Sequence, residues 1–490
     1  MTTTQTPPHH DAPPVVRPHL PLGLVVAISC TATFMIVLDS AIVNVALPAM
    51  RADLHLSTSA QQWVVDAYLL TFGGLLLLAA KAADLFGRRR VFLAGLVLFT
   101  LSSLVAGLAD DGAMLLIARA VQGVGAAALA PSGLSLITAS HHDEHQRSRA
   151  LAIWGACASS SAAAGVVLGG VLTESLDWRW IFFVNVPIGV LLLIASVRVL
   201  MPGRPHGAVT RLDLPGGLTS TAGVAAVVYG ISRATEIGWG AGTVIAALAV
   251  GVALLVGFVV IEATSREPMI RLGLFALPRL RAANLAMFAL GACMTAPLFF
   301  LSLYLQQLVG YSALRAGLAL LPMSAVLAVG AIAARRLVHA GIHRLPTYGA
   351  ILTAAGLLWL TQLPDHAAYP SHVLAPTLVL AAGLSVMILP LTIAATAGVP
   401  HHEAGVASGL MNVGRQLGGA MGLAVLVTVS SSAAQHAHNR DLVDATLHGY
   451  HIAFLIAAGI ALLCALATLP LGNRPKPAAT QLSTSITDDV

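Results

Sequence analysis

Apolar stretches of about 20 residues, parted by short polar or basic clusters, recur fourteen times along the chain, and each is long enough to cross a bilayer as a helix. Spans are expected near residues 22–48, 59–80, 89–109, 113–139, 148–172 and 178–200, then 212–232 and 241–263. Six more are expected near 282–308, 314–334, 346–363, 372–396, 404–430 and 449–471. The longest polar connections, at about 198–213 and 263–281, flank the central pair. The chain therefore divides into a tail (1–20), a six-helix bundle (21–200), an inserted helix pair with its linkers (201–280), a second six-helix bundle (281–472) and a tail (473–490). The expected fold class is an all-α polytopic membrane protein with fourteen transmembrane helices.

Composition excludes a soluble globular chain, because hydrophobic residues reach 57%, charged residues only 10%, and mean hydropathy is +0.84. Basic residues then test the span count, since they collect on the cytoplasmic side. With the N-terminus inside, nineteen of the 26 fall in inner segments: Arg17, Lys81, Arg88, Arg89, Arg90, Arg147, Arg149, Arg198, Arg204, Arg211, Arg266, Arg271, Arg279, Arg281, Arg335, Arg336, Arg344, Arg474 and Lys476. Arg51, Arg179, Arg233, Arg315 and Arg440 fall outside, and Arg119 and Arg415 lie within spans. Both termini are expected in the cytoplasm. The pI near 9.3 then reflects inner loops facing anionic lipid, and no nucleic-acid partner is implied.

The polar first 20 residues precede an apolar run too long for a signal-peptide core, so that run reads as a retained span. Cys30, Cys157, Cys293 and Cys464 sit inside apolar runs without paired spacing, which points to packing. The 18 histidines, among them His9-His10, His141-His142 and His401-His402, occupy loops, tails or span ends, and no metal site is expected. The chain carries no ATP-cradling loop and no nucleophile elbow, so it is not expected to be an enzyme or to need a cofactor; its energy comes from a gradient. Arginine outnumbers lysine 24 to 2, a bias associated with GC-rich bacterial genomes. The expected location is a bacterial cytoplasmic membrane, with lipid, protons and a small molecule as partners and a monomeric chain.

Polar residues inside the spans carry the candidate chemistry, because an acid at a helix centre costs about 2.5 to 3.5 kcal/mol on insertion scales. Asp39 lies mid-span, and Asp66 lies two turns into the second span from the outer side, where water is expected to reach it. Arg119, Gln122 and Gly123 fall at i, i+3 and i+4, placing a cation, an amide and a packing gap on one helix face. Asn412, Arg415 and Gln416 share a face, as do Tyr304 and Gln307. Structural alternatives stand beside each: a static Asp39–Arg119 pair, an entrance-lining or capping Asp66, and amides acting as interhelical glue. Pro297, Pro322 and Pro390 mark expected bends. The run Gly123-Val124-Gly125-Ala126-Ala127-Ala128 follows no strand, so it reads as helix packing and not as a dinucleotide site.

The segment Ala80-Lys81-Ala82-Ala83-Asp84-Leu85-Phe86-Gly87-Arg88-Arg89-Arg90 resembles the signature loop of the major facilitator superfamily, Gly-x-Leu-Ala-Asp-Arg-x-Gly-Arg-Lys/Arg-x, with Ala80 and Leu85 departing from it. Leu38 to Pro48, Arg119 to Ala127 and Trp178 to Gly189 resemble the fourteen-span drug:proton antiporters of that superfamily. The likeness continues through Tyr304-Leu305-Gln306-Gln307 and Gly317 to Pro322, and so covers nearly the whole chain. It implies export of small amphipathic molecules such as drugs or antibiotics in exchange for protons, by alternating access.

The resemblance also implies roles. Arg119 would couple protons, and Asp84, Gly87, Arg88 and Arg89 would form a latch between helices; from their burial and shared helix faces, Asp39 and Asp66 are expected to join in proton coupling and Asn44, Gln122, Tyr304, Gln307, Asn412, Arg415 and Gln416 to line the substrate cavity. Gly165, Gly169 and Gly170 belong to a helix-packing motif that in the antiporters contains a proline where this chain has Val166, and Ser161 stands where an earlier glycine is usual. A proton-coupled importer or facilitator of the same fold, or a membrane sensor on a transporter scaffold, stays open as an alternative.

Overall fold

Among the described residues, thirteen helices are long and apolar enough to cross a membrane, and a fourteenth apolar helix is shorter. The computed structural model describes residues 22–140, 143–201, 212–265, 267–342, 344–400, 403–437 and 441–472. Both expected tails lie outside the described residues, as do Arg17, Arg204, Arg211, Arg266, Arg440, Arg474, Lys476 and the three His-His pairs.

The first group of helices comprises α1 (Leu22–Asp53), α2 (Thr58–Phe86), α3 (Arg88–Gly107), α4 (Gly112–Ser140), α5 (Glu144–Ser175), α6 (Trp180–Phe183) and α7 (Asn185–Val199), the last two forming one span. The central pair is α8 (Leu214–Ile237) and α9 (Gly242–Thr264). The second group comprises α10 (Pro278–Leu303), α11 (Ala313–His339), α12 (Leu345–Leu360), α13 (Ala375–Ser385), α14 (Ile388–Thr396), α15 (Ala404–His436) and α16 (Leu442–Thr468). Local signals set the boundaries: Ser57, Asp143, Asp213, Ser312 and Asp441 each accept an N-cap hydrogen bond, and Gly87 turns the chain between α2 and α3 at φ 96°.

Two expected spans differ in detail. The helix expected at 346–363 is α12, with 16 residues and a length of about 24 Å, short of a bilayer core of about 30 Å. It stops where the Thr361 hydroxyl donates to the Leu358 carbonyl at 2.6 Å. The span expected at 372–396 is broken into a π-turn (Tyr369–Leu374), α13 and α14. The break at Val386–Met387 falls four residues before Pro390, whose ring clashes with a helical carbonyl at that spacing. By contrast, α10 and α11 run through Pro297 and Pro322 unbroken.

Small residues let the helices approach closely, the expected packing mode in lipid. Gly165 and Gly169 of α5 back onto the Leu38 and Ile42 carbonyls of α1, each 2.9 Å from where a Cβ would stand. Gly170 meets the Leu314 backbone of α11, and the Val166 carbonyl faces Gly317, so one stripe of α5 serves both its own bundle and the seam between bundles. The second seam joins α2 to α15, where Gly73 receives the Gln416 stem.

The inserted α8 lies across that second seam. Gln62 of α2 donates to Ser232 at 3.0 Å, Thr428 of α15 donates to the Ile231 carbonyl at 3.2 Å, and Trp63 and Tyr229 pack with ring centroids 6.3 Å apart. Helix α9 packs on α8 and turns Ile245, Val250, Val252, Val256, Val259 and Val260 outward, as a lipid-facing surface requires.

Candidate functional site

A polar cluster built from five helices sits inside the first bundle. The Asp39 carboxylate of α1 takes Oδ2 to Nη1 of Arg119 (α4) at 2.5 Å, while Oδ1 accepts from Gln122 Nε2 at 2.7 Å and from Asn185 Nδ2 (α7) at 3.2 Å. Arg119 spends Nε on the Val64 carbonyl of α2 at 3.0 Å and also reaches Gln122 Oε1 at 2.6 Å. Gln122 closes the network on Ser103 of α3 at 2.8 Å. The guanidinium lies over Tyr68 at 4.4 Å and Phe182 at 5.8 Å, so its faces meet aromatic rings and its edges meet oxygen.

Asp39, Gln122, Asn185 and Ser103 have no exposed surface, and Arg119 retains 1%. This is a sealed, charge-compensated pair, and burial of such a pair is tolerated only where each charge is also hydrogen-bonded, as here. Neutralising Asp39 would leave the cation of Arg119 without its counter-charge.

Gly123 makes the site possible. A Cβ there would run into the Thr71 hydroxyl and stand 2.6 Å from the Tyr68 carbonyl, so only glycine lets α4 lie against α2 closely enough for Arg119 to reach Val64. Asn185 was not expected at the site. Its signal was the Asn-x-Pro of the Trp178–Gly189 segment: the α6–α7 junction at Val184 directs Asn185 inward, and Pro187 sits in the first turn of α7, where a missing N–H is harmless. The same segment ties down the loop end of the bundle. Arg179 pairs with Asp53 at 2.9 Å, stacks on Trp178 at 4.5 Å and donates to the Ala109 carbonyl at 3.2 Å.

Asp66 is not part of this cluster, nor does water reach it. It is fully buried, accepting from Gln62 at 2.6 Å on the flank of α2 that meets α8, and its second oxygen has no hydrogen-bond partner. A third buried acid, Glu262 at the end of α9, accepts from the Ile270 amide at 3.1 Å.

The residues read as cavity lining separate into five places. Gln122 belongs to the Asp39 network, and Tyr304 is buried with its hydroxyl on the Pro364 carbonyl at 2.5 Å, so neither faces open space. Asn44 lies at a contact between bundles: its carbonyl accepts from Ser302 of α10 at 2.7 Å, and the next carbonyl, Val45, accepts from Gln306 at 3.0 Å. Gln307 lines a cavity of about 510 Å³ with Arg51, Thr58, Phe299, Ser430 and Tyr450. Asn412, Arg415 and Gln416 stand together on α15, Asn412 exposed and Arg415 partly so.

The latch residues are only loosely joined. Asp84 stays half exposed, 4.0 Å from Arg88, which also donates to the Ser135 carbonyl of α4 at 3.2 Å, while Arg89 binds the Val197 carbonyl of α7 at 3.0 Å. Leu85, in place of an arginine, leaves Asp84 without a nearer donor. Lys81 makes the longer-range contact that sequence reasoning missed, donating to the Glu267 and Pro268 carbonyls at 3.1 and 2.5 Å and so pinning α2 to the linker after α9. Among the described residues, no three His, Cys, Asp or Glu side chains gather as a metal site.

The family model described as Major Facilitator Superfamily matches residues 29–423. The chain belongs to the major facilitator superfamily. It is 41% identical to the puromycin resistance protein of Streptomyces alboniger over 95% of this chain and 94% of that one. It is 45% identical to the cephamycin export protein of Amycolatopsis lactamdurans, covering 83% and 84% of the two chains. The solved structure of a D-xylose-proton symporter superposes with a TM-score of 0.64 at 14% identity, covering 92% of this chain and 98% of that one, which shows the fold. As a major facilitator the chain is a multi-pass membrane transporter of small molecules and not an enzyme.

Proposed function

We propose that this major facilitator exports small amphipathic molecules, drugs or antibiotics among them, in exchange for protons. The observation that carries the reading is the sealed Asp39–Arg119 pair on the helix that also forms the contact to the second bundle. The named activities of the two relatives, resistance and export, support the direction of transport.

In this scheme the bundles over 21–200 and 281–472 rock about their seams. The end holding Ser302–Asn44 and Gln306–Val45 is the outer end, closed in the conformation described. A proton reaching Asp39 from the open outer side removes its charge, loosens α1 from Arg119 and lets α1 close against α10; once the proton is lost inside, Asp39 pairs with Arg119 again and α1 parts from α10. Cargo binding favours loss of that proton to the inside, and each proton moving inward is driven by about 2.3 kcal/mol per 100 mV of membrane potential. Arg119 is the coupling residue and Gln122 and Asn185 position the pair. Asp66, walled off by α8, is a second protonation site. Asp84, Gly87, Arg88 and Arg89 form a latch that engages when the other end closes. The chain works as a monomer in a bacterial cytoplasmic membrane, both termini inside, and uses no cofactor.

Everted vesicles test this directly. Energised vesicles should accumulate a lipophilic drug, an uncoupler should abolish the accumulation, and Asp39→Asn should do the same while leaving drug counterflow measurable. A second reading, import or facilitated passage, is favoured by Val166 in place of the antiporter proline. Gradient-independent equilibration in the same vesicles would establish facilitated passage, and gradient-driven depletion of drug from the vesicle lumen would establish proton-coupled import.

A further inference from the structure

We propose that Arg415, flanked by Gln416 and Asn412, is the receptor for an anionic group, a carboxylate, on the exported molecule. The inference rests on the reading of the chain as an exporter and adds the chemical class of its cargo. Arg415 makes no hydrogen bond and no ion pair with any described residue, in contrast to Arg119 inside its five-helix network. Gln416, 6% exposed, likewise has no partner for its side-chain amide, and Asn412 reaches only the Ser408 carbonyl of its own helix at 3.5 Å. Arg415 and Gln416 thus leave their donors open, beside an Asn412 held only by a long bond, on one stripe of a membrane-spanning helix.

Depth and direction place that stripe in the space between the bundles. Gln416 packs its stem on Gly73, which lies at the middle of α2, so Arg415 is near mid-membrane. Helix α15 meets α2 through Gly409 and Gln416 and α10 through Gly418 and Gly422, on roughly opposite sides. The peripheral α8 covers a third flank through Thr428. At 3.6 residues per turn, Arg415 and Asn412 lie about 140° and 160° around the helix from Thr428. They therefore face away from α8 and lipid, into the interior gap.

The buried acids of the spans are all committed elsewhere: Asp39 to Arg119, Asp66 to Gln62, Glu262 to the Ile270 amide. A guanidinium held at mid-membrane without a counter-ion persists where a ligand supplies one. Its planar fork fits a carboxylate with two parallel hydrogen bonds, and the neighbouring amides supply further donors.

The test uses the full chain in nanodiscs of zwitterionic lipid, so that no headgroup serves as the anion, with benzylpenicillin and its uncharged methyl ester as the probes. Wild type should bind the carboxylate about tenfold or more tightly than its ester, the ratio expected of charge-assisted bonds to one guanidinium. Arg415→Gln should bring that ratio to about one, and Arg415→Lys should keep part of it. The inference is overturned if wild type shows no preference for the carboxylate, or if Arg415→Gln weakens both probes equally. Should Arg415→Gln fail to fold, an Arg415→Lys ratio unchanged from wild type overturns it too, because a point charge cannot reproduce a bidentate fork. Export in energised vesicles is read separately with the ester: gradient-driven ester export without charge discrimination refutes only the receptor, whereas no gradient-driven export of either probe refutes the exporter reading.

Discussion

Asp39 and Asn44 stand five residues apart on α1, one holding Arg119 of its own bundle and the other accepting Ser302 of the opposite bundle. Their separation along the axis is about 7.5 Å, little more than one turn. A continuous helix transmits a shift at one position to the other, so the charge on Asp39 and the contact between bundles are mechanically linked. Ser302→Ala removes the bond to the Asn44 carbonyl from that contact, and with it the bond that Ser302 accepts from Gln306 at 3.0 Å, leaving Gln306 on the Val45 carbonyl alone. The loss is about 1 kcal/mol, which raises the population open at this end about fivefold. Pulsed electron-spin distance measurements between labels on the Asn44 ends of α1 and α10 would show it; an unchanged distribution would remove Ser302 from the gate.

Asp39→Asn keeps the side chain's shape and deletes its charge, leaving Arg119 buried with Gln122, the Val64 carbonyl and the Tyr68 ring. Removing one member of a buried pair costs about 3 kcal/mol, visible as a fall in melting temperature in detergent. Arg119→Gln alone should cost a similar amount. The double variant should be more stable than the two losses added together, by about 1–3 kcal/mol, because neither charge is then left alone. Simple additivity would show that the pair is not a coupled unit.

The close approach of α4 to α2 gives a sharper test of what holds the site together. Gly123→Ala places a methyl against Thr71 and the Tyr68 carbonyl and should destabilise the protein by about 1–3 kcal/mol, with loss of drug export. Gly155→Ala on α5 is the matched control, since nothing lies within 4 Å of the new methyl. There helix propensity alone acts and should stabilise by up to about 1 kcal/mol. Equal melting temperatures for the two variants would contradict the packing account.

Much of this arrangement was legible before any coordinates. Bilayer thickness sets a length that apolar runs must meet, so the helices announce themselves, and the Arg119–Gln122–Gly123 spacing already placed a cation, an amide and a gap on one face. The companion of Asp39 was expected as an alternative and found as a contact. Asn185 was harder, because an amide beside a helix break gives no periodic signal, and its direction depends on how α6 meets α7. The five destinations of the supposed cavity residues were beyond sequence as well: helical spacing says that Tyr304 and Gln307 share a face, but a π-turn at Tyr304–Leu308 rotates that face, burying one and exposing the other. Asp66 was misplaced for a related reason. Its burial comes from α8, a helix 170 residues away from Gln62 in sequence, and no local pattern reports that docking.

That docking gives the inserted pair its own prediction. Ser232 is the one α8 side chain that reaches the Gln62–Asp66 pair, and it does so where Gln61 and Gln62 also keep buried polar atoms unsatisfied. The seam is therefore held by few polar contacts, each of which matters. Ser232→Ala deletes the Gln62 bond and should cost about 1 kcal/mol at the seam, leaving Thr428, the Ser57–Glu236 hydrogen bond and the Trp63–Tyr229 contact to hold α8. Amide hydrogen exchange should quicken about fivefold across Leu214–Ile237 and hardly at all in α4, because the opening is local to α8. If exchange in α8 stays at the wild-type rate, Ser232 is not what fastens the insert over Asp66, and the proposed second protonation site loses the wall assigned to it.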